Sequence, residues 1–172
     1  MGTGADLCVI GHPRRVSRIA EALSAAGLLS RGLTPREAHD APGSVLGAEI
    51  IVWAFSPGTH PTLEAEGYAG GAIGLYAHWD DESAEVGPVC VPGRGPCAAC
   101  LRRTTPPRRG GLNPLLGSWT AAWAALHCDA LLRTGSTELV GASWAWRLTR
   151  PGLTLRGWPR LPGCIVPDCG QP

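Results

Sequence analysis

A chain of 172 residues with 44% hydrophobic content is long enough for one domain with a real core, and too apolar for a disordered one. Its formal net charge of +1 argues against nucleic acid or an anionic membrane surface as a partner. All fifteen basic side chains are Arg, which excludes any mechanism that needs a catalytic lysine. The opening stretch MGTGADLCVIGHPRR lacks a basic region before its short apolar run, so it does not read as a signal peptide. No apolar run approaches the ~20 residues of a membrane span. A cytoplasmic location is expected, where thiols stay reduced. Seven cysteines then favour metal binding or reactive thiols over a disulfide framework.

Residues 5–11, ADLCVIG, form a short apolar run that reads as a buried strand. A helix follows, with His12 at its cap and Pro13 at its first position. Val16, Ile19, Ala20 and Leu23 fall on one face, and Gly27 is a stop. Residues 48–55, AEIIVWAF, predict a second strand, and SPGTHPTLE after it a turn and a possible helix entry. Residues 70–79 and 86–93 predict two more strands. Strands alternating with helical segments indicate an α/β domain with a Rossmann-like, mainly parallel sheet.

The C-terminal third differs. Residues 112–133 place Leu112, Leu115, Leu116, Trp119, Trp123, Leu126 and Ala130 on one face of a long amphipathic helix. Residues 138–158 alternate, with Val140, Ala142, Trp144, Trp146 and Leu148 on one side and Gly141, Ser143, Arg147 and Thr149 on the other. With RPGL as the turn into TLRGW, this predicts a β-hairpin with one buried face. The stretch 102–111, RRTTPPRRGG, reads as an internal linker. The whole chain, 1–172, is taken as one domain.

The cysteines carry the chemistry. Cys97 and Cys100 are separated by two residues, Cys164 and Cys169 by four, and both pairs lie among glycines and prolines. Two such pairs can supply four thiolates in a tetrahedron around Zn²⁺. The 63 residues between Cys100 and Cys164 exceed any zinc-finger spacing. The metal would therefore tie the segment 160–172 to a distant part of the domain. Loop closure grows slowly with length, so the longer gap costs only on the order of 1 kcal/mol more. A closed set of four thiolates leaves no position for substrate, so the zinc would be structural. A thioredoxin-like redox pair and unrelated thiols are the alternatives. Arg94, Arg102, Arg103 and Arg160 either offset the charge of the thiolates or are ordinary solvated surface. Cys8 and Cys90 read as buried small hydrophobes. His127, Cys128 and Asp129 point in different directions on a helix and do not make a triad.

The run VGPVCVPGRGPCAACLRR, with the distant GWPRLPGCIVPDCG, resembles the E1-like, ThiF-related proteins of ribosomal peptide biosynthesis. These are the partners of YcaO cyclodehydratases, also called cyclodehydratase C proteins or ocin-ThiF-like proteins. The matching residues are Gly87, Pro88, Pro92, Gly93, Cys97, Cys100, Leu101, Arg102, Trp158, Pro162, Cys164 and Cys169. The resemblance implies structural zinc on the four cysteines, and a homodimer. It implies as partners a modifying enzyme, a leader-binding protein and a precursor peptide. Trp119, Trp123, Trp144 and Trp146 are candidate interface anchors or core residues.

The family pattern is departed from in three places, of which the last two bear on function. The second cysteine pair is wider than the family's. The turn after the first strand reads GHPRRV, where an ATP-binding enzyme would carry glycines whose bare amides approach phosphate. Pro13 removes an amide there, and Arg14 and Arg15 stand in glycine positions, although either could touch an anion at the helix start. Because the sequence opens on the first strand, the family's winged-helix module that grips a leader peptide is expected to be lacking. The expectation is a non-catalytic, zinc-bearing scaffold. An ATP-dependent adenylyltransferase acting on a peptide carboxylate, and a thiol oxidoreductase, are the rival expectations.

Overall fold

The structure is a computed structural model, described here for residues 6–41, 43–102, 111–167 and 169. The expected linker 102–111 lies outside the described residues except for its two ends. Within the expected metal-binding segment, Asp168 and residues 170–172 lie outside them too.

The chain opens with β1 (Leu7–Gly11), α1 (Pro13–Ala25), β2 (Ser30–Leu33), α2 (Pro35–Asp40), β3 (Ile50–Ala54), α3 (Pro61–Ala69) and β4 (Ile73–Trp79). It continues through β5 (Ser83–Cys90), α4 (Ala98–Arg102), α5 (Pro114–Thr134), β6 (Ala142–Arg147) and β7 (Arg150–Gly157). The seven strands form one mixed sheet in the order β2-β1-β3-β4-β5-β6-β7. Strands β1 to β4 are mutually parallel and β5, β6 and β7 join antiparallel, so β1–β4 and β6 point one way. The α/β class and the prevailing strand direction agree with the sequence reading.

Each predicted strand is present within a few residues of its expected span. Helix α1 starts as expected: His12 caps it, its Nδ1 accepting from the Arg14 amide, and Gly27 closes it at φ 77°. Three elements were not anticipated, helix α4 among them. Strand β2 (SRGL) is short and sits at the sheet edge, so it carries no apolar run. Helix α2 is six residues long, held by a capping box between Thr34 and Glu37.

Two apolar layers flank the sheet. One side packs Val9, Val52, Leu75, Ala77 and Val86 against Ile19 and Leu23 of α1 and Ala121, Ala124 and Cys128 of α5. The other packs Ile10, Ile51, Trp53 and Tyr76 against Ala38, Leu63 and the cysteine-bearing loops. In β5, Gly87 adopts φ 94° and lies against the Ala142 carbonyl, so no side chain fits there. That accounts physically for the glycine of the VGP motif.

The expected face of α5 is corrected. Leu115 is 78% exposed and Leu126 61% exposed. The buried stripe is instead Leu116, Gly117, Thr120, Ala121, Ala124, Ala125 and Cys128. The helix is apolar nearly all round, so large side chains do not mark the inner face. Small residues do, because they let the helix come close to the sheet and the Trp79 indole sit against Gly117. The hairpin is corrected in two respects. Its turn is at Leu148 and Thr149, so Pro151 and Gly152 lie inside β7, an edge strand where a missing N–H is tolerated. Its burial also is not one-sided: Trp144 and Trp146 are half-buried over α5, whereas Ser143 on the opposite face is fully buried. The four tryptophans Trp119, Trp123, Trp144 and Trp146 pack on the first layer while staying half-buried.

Candidate metal centre

Helix α4 and the loop before it carry Cys97 and Cys100. Their spacing places the two sulfurs on the same side of one turn, with the Cys100 amide donating to the Cys97 carbonyl. The chain leaves β7 at Trp158 and runs back under this turn, bringing Cys164 and Cys169 to it. The sulfur separations are 3.8 Å for Cys97–Cys100, 3.6 Å for Cys97–Cys164 and 3.6 Å for Cys100–Cys169. All four sulfurs lie within 4.8 Å of one another. A tetrahedron of thiolates on a divalent ion with bonds of ~2.3 Å has edges of about 3.8 Å, so the cluster can hold a metal ion. Among the described residues it is the one such group of three or more His, Cys, Asp or Glu ligand atoms. Cys97, Cys100 and Cys169 are buried, and Cys164 is partly exposed.

Electrostatics set the four apart. Burial pushes the Cys97 and Cys169 thiols up. Burial works upward on Cys164 too, but the Val166 amide and the three neighbouring sulfurs more than offset it and hold it at about 7. The Leu161 amide donates to the Cys100 sulfur at 3.4 Å. Cys164 therefore forms a thiolate more readily than Cys97 or Cys169 does. Arg94 does not face this charge; it reaches the Gly135 carbonyl at the end of α5. The side chain of Arg102, and Arg103, lie outside the described residues.

The remaining cysteines are apart from this chemistry or beneath it. Cys8 and Cys128 are fully buried, and burial raises them to about 11 and about 12. Cys90 is buried below the cluster and is also pushed up. Asp129 pairs with Arg133, and His127 Nδ1 lies 2.8 Å from the Thr137 hydroxyl, so the run HCD converges on nothing.

The turn after β1 is where the sequence reading expects no nucleotide site, with Arg14 or Arg15 at most touching an anion. In an open sheet, ligands favour the crevice at the carboxyl ends of the strands where connections diverge to left and right. Here that point lies between β1 and β3. Gly11 is needed for close approach: a side chain there would strike Ala54. Arg15 bends inward and donates to the carbonyl oxygens of Ala54 and Trp79, at the ends of β3 and β4, with its guanidinium 5.5 Å from the Trp79 ring centroid. The side chain thus lies across the crevice. Arg14 remains exposed.

Two buried carboxylates escaped the sequence reading. Glu64 accepts from the Gly58 and His60 amides and from the Tyr76 hydroxyl, at 2.8, 2.8 and 2.6 Å, and so fixes the loop after β3. Glu85 accepts from the Ser143 hydroxyl at 2.6 Å, and Ser143 accepts from the Trp158 indole N–H at 2.8 Å. This chain anchors the strand end from which the second cysteine pair departs. The available signals were an acidic residue inside an apolar strand and the SPGTHPTLE turn.

No helix of the described residues is long and apolar enough to cross a membrane. No family model matches the sequence, and no curated protein matches it. Solved structures do match the fold. A heterocyclase in complex with substrate and cofactor superposes with a TM-score of 0.73 at 15% identity, over 97% of this chain and 26% of that one. The heterocyclase TruD gives 0.70 at 19% identity, over 96% and 27%. Escherichia coli MccB with MccA gives 0.69 at 12% identity, over 94% and 66%. The chain thus spans about a quarter of the length of the heterocyclases and about two thirds of MccB. At 12–19% identity the likeness to all three is one of fold.

Proposed function

We propose that this chain, taken as a single Rossmann-like, E1-like domain over 1–172, is a zinc-stapled scaffold in the biosynthesis of ribosomally made, modified peptides. It works in the cytoplasm as a homodimer that docks to a modifying enzyme of YcaO or another type, to a leader-binding protein, or to the precursor peptide, and it does no chemistry of its own. The observation that carries the reading is the pairing of a likeness to heterocyclases with a crevice crossed by Arg15. Cys97, Cys100, Cys164 and Cys169 are the proposed ligands. Zinc fits them because the set is four soft thiolates at tetrahedral edges, with no open position. Its role is to hold the C-terminal segment on α4. The closed set also disfavours a thiol oxidoreductase.

Metal analysis of the purified protein is expected to give one zinc per chain, lost in the Cys97→Ser, Cys164→Ser variant. A folded, metal-free protein would remove the staple. Affinity capture with the proteins encoded beside it and the precursor peptide is expected to retain at least one of them. Capture of none would overturn the scaffold reading. A second reading, adenylation of a peptide carboxylate, draws on the likeness to MccB, which has been solved with ATP at a TM-score of 0.70. ATP–pyrophosphate exchange above background would establish it in place of the first.

A further inference from the structure

We propose that the open face of β5, β6 and β7 is a docking cleft for an acidic, extended peptide segment. This deepens the peptide-partner reading above and rests on it only for where such a peptide comes from. Strand alternation and register put Glu85, Ser143, Ala145, Arg147, Thr154 and Arg156 on the side of the sheet away from α5. Among the described residues, helices α2, α3 and α4 pack on that side over β1, β3 and β4 and over the Cys90 end of β5. Beyond them lies a cleft of about 470 Å³, lined by Glu85, Ala145, Arg147, Arg150, Thr154 and Arg156 among others.

Three guanidinium groups face this space, and none is paired with a carboxylate among the described residues. Arg31, Arg36 and Arg133, by contrast, each pair with an aspartate. Arg147 and Arg150 lie opposite one another across the hairpin turn. Arg156 is held in place, its guanidinium 3.9 Å from the Trp158 ring centroid. That ring is itself fixed by the bond to Ser143 and, through it, to Glu85. A stacked guanidinium keeps its N–H edges free for bidentate bonds to a carboxylate, and its conformational freedom is already spent before a ligand arrives. The one acidic group in the lining, Glu85, is 1% exposed and engaged from within, by Ser143 and with His78 Nε2 at 3.9 Å. The cleft therefore presents positive charge.

The spacing sets the ligand. Arg156 is opposite Ser143 and Arg150 is opposite Arg147, four residues further along β6. At ~3.3 Å per residue the two positive positions are about 13 Å apart. An extended peptide with acidic residues at i and i+4 spans the same distance.

The test uses the purified full chain and fluorescence anisotropy of a labelled nonapeptide with Glu at positions 1, 5 and 9 in a Ser/Thr background. The expected result is saturable binding, at least tenfold weaker for the matching Gln peptide, at least tenfold weaker for the Arg147→Ala, Arg150→Ala variant, and weakened by 0.5 M NaCl. Both substituted residues are exposed, so the variant should keep its thermal transition. Equal affinity for the Glu and Gln peptides, an unchanged variant, no binding, or tighter binding of single-stranded oligothymidylate than of the Glu peptide would overturn the proposal. The assay contains no modifying enzyme. Its failure therefore leaves the scaffold reading intact, and failed capture of partners leaves a positive peptide result intact.

Discussion

Replacing Ser143 with Ala tests the buried polar chain that ties β5, β6 and the departing C-terminal segment together. The Ser143 side chain is 0% exposed, donates to Glu85 Oε1 at 2.6 Å and accepts from Trp158 Nε1 at 2.8 Å. Alanine removes both bonds at once. The Trp158 N–H is left without that acceptor, at about 1–3 kcal/mol, and the loss of a donor to a buried carboxylate adds about 1.5–3 kcal/mol. The loss of stability expected is then about 2.5–6 kcal/mol, which in a protein of this size lowers Tm by roughly 5–24 °C. Urea unfolding followed by tryptophan fluorescence reads it directly. Trp158→Phe alone removes one bond and should cost about 1–3 kcal/mol. The double variant should fall short of the sum by at least about 1 kcal/mol, since the two share an interaction. A Ser143→Ala loss below about 1 kcal/mol, or additivity within about 0.5 kcal/mol, would refute the coupled chain.

Arg15→Ala should destabilise the protein by about 1–2 kcal/mol, because two carbonyl bonds and the stack on Trp79 are lost, whereas exposed Arg14→Ala should change stability by less than about 0.5 kcal/mol in the same assay. Equal effects would show that Arg15 does not lie across the crevice. Gly117→Ala forces a methyl group against the Trp79 indole and should cost about 1–3 kcal/mol, while Leu126→Ser on the outer face should cost less than about 0.5 kcal/mol; the reverse order would restore the helix face expected from the sequence. Exhaustive chelation should lower Tm, and Cys128→Ala, remote from the cluster, should leave metal content unchanged. His60 and His127 are both held below their ordinary 6.5 by burial, so the unfolded chain binds more protons than the native one as pH falls through 6.5. Stability should therefore decline on acidification from pH 7 to pH 5.5; a flat Tm across that window would contradict the burial of these rings.

Much of the fold was legible because its signals are local. The runs LCVIG, IIVWA and IGLYAHW can satisfy burial on both faces only as inner strands, and His12-Pro13 and Gly27 bracket a helix by backbone chemistry alone. The cysteine cluster was legible too, because two paired spacings in glycine-rich loops leave little else for four thiols to do. What escaped the sequence depends on partners distant along the chain. Strand β2 has no apolar signature and exists because β1 offers it an edge. The inner face of α5 is chosen by how near Gly117 and the alanines can approach the sheet, not by how hydrophobic each residue is. Glu64 and Glu85 look like ordinary surface acids until Tyr76 and Ser143 arrive from elsewhere. Arg15 looked like a residue able to meet an anion. Two carbonyl oxygens at the ends of β3 and β4, 39 and 64 residues away, turn it inward.

The placement of the four cysteines also has a consequence in time. Cys164 is synthesised 64 residues after Cys100. At about 5–20 residues per second, roughly 3–13 s of translation separate the two pairs. Through that interval α4 carries two thiols with no second pair to complete the cage, so they are open to oxidants and to alkylating reagents. Pulse alkylation of ribosome-stalled chains would reveal this as Cys97 and Cys100 labelling that ends once the second pair has cleared the exit tunnel. Labelling that persists unchanged would mean that metal loading is not completed on the emerging chain.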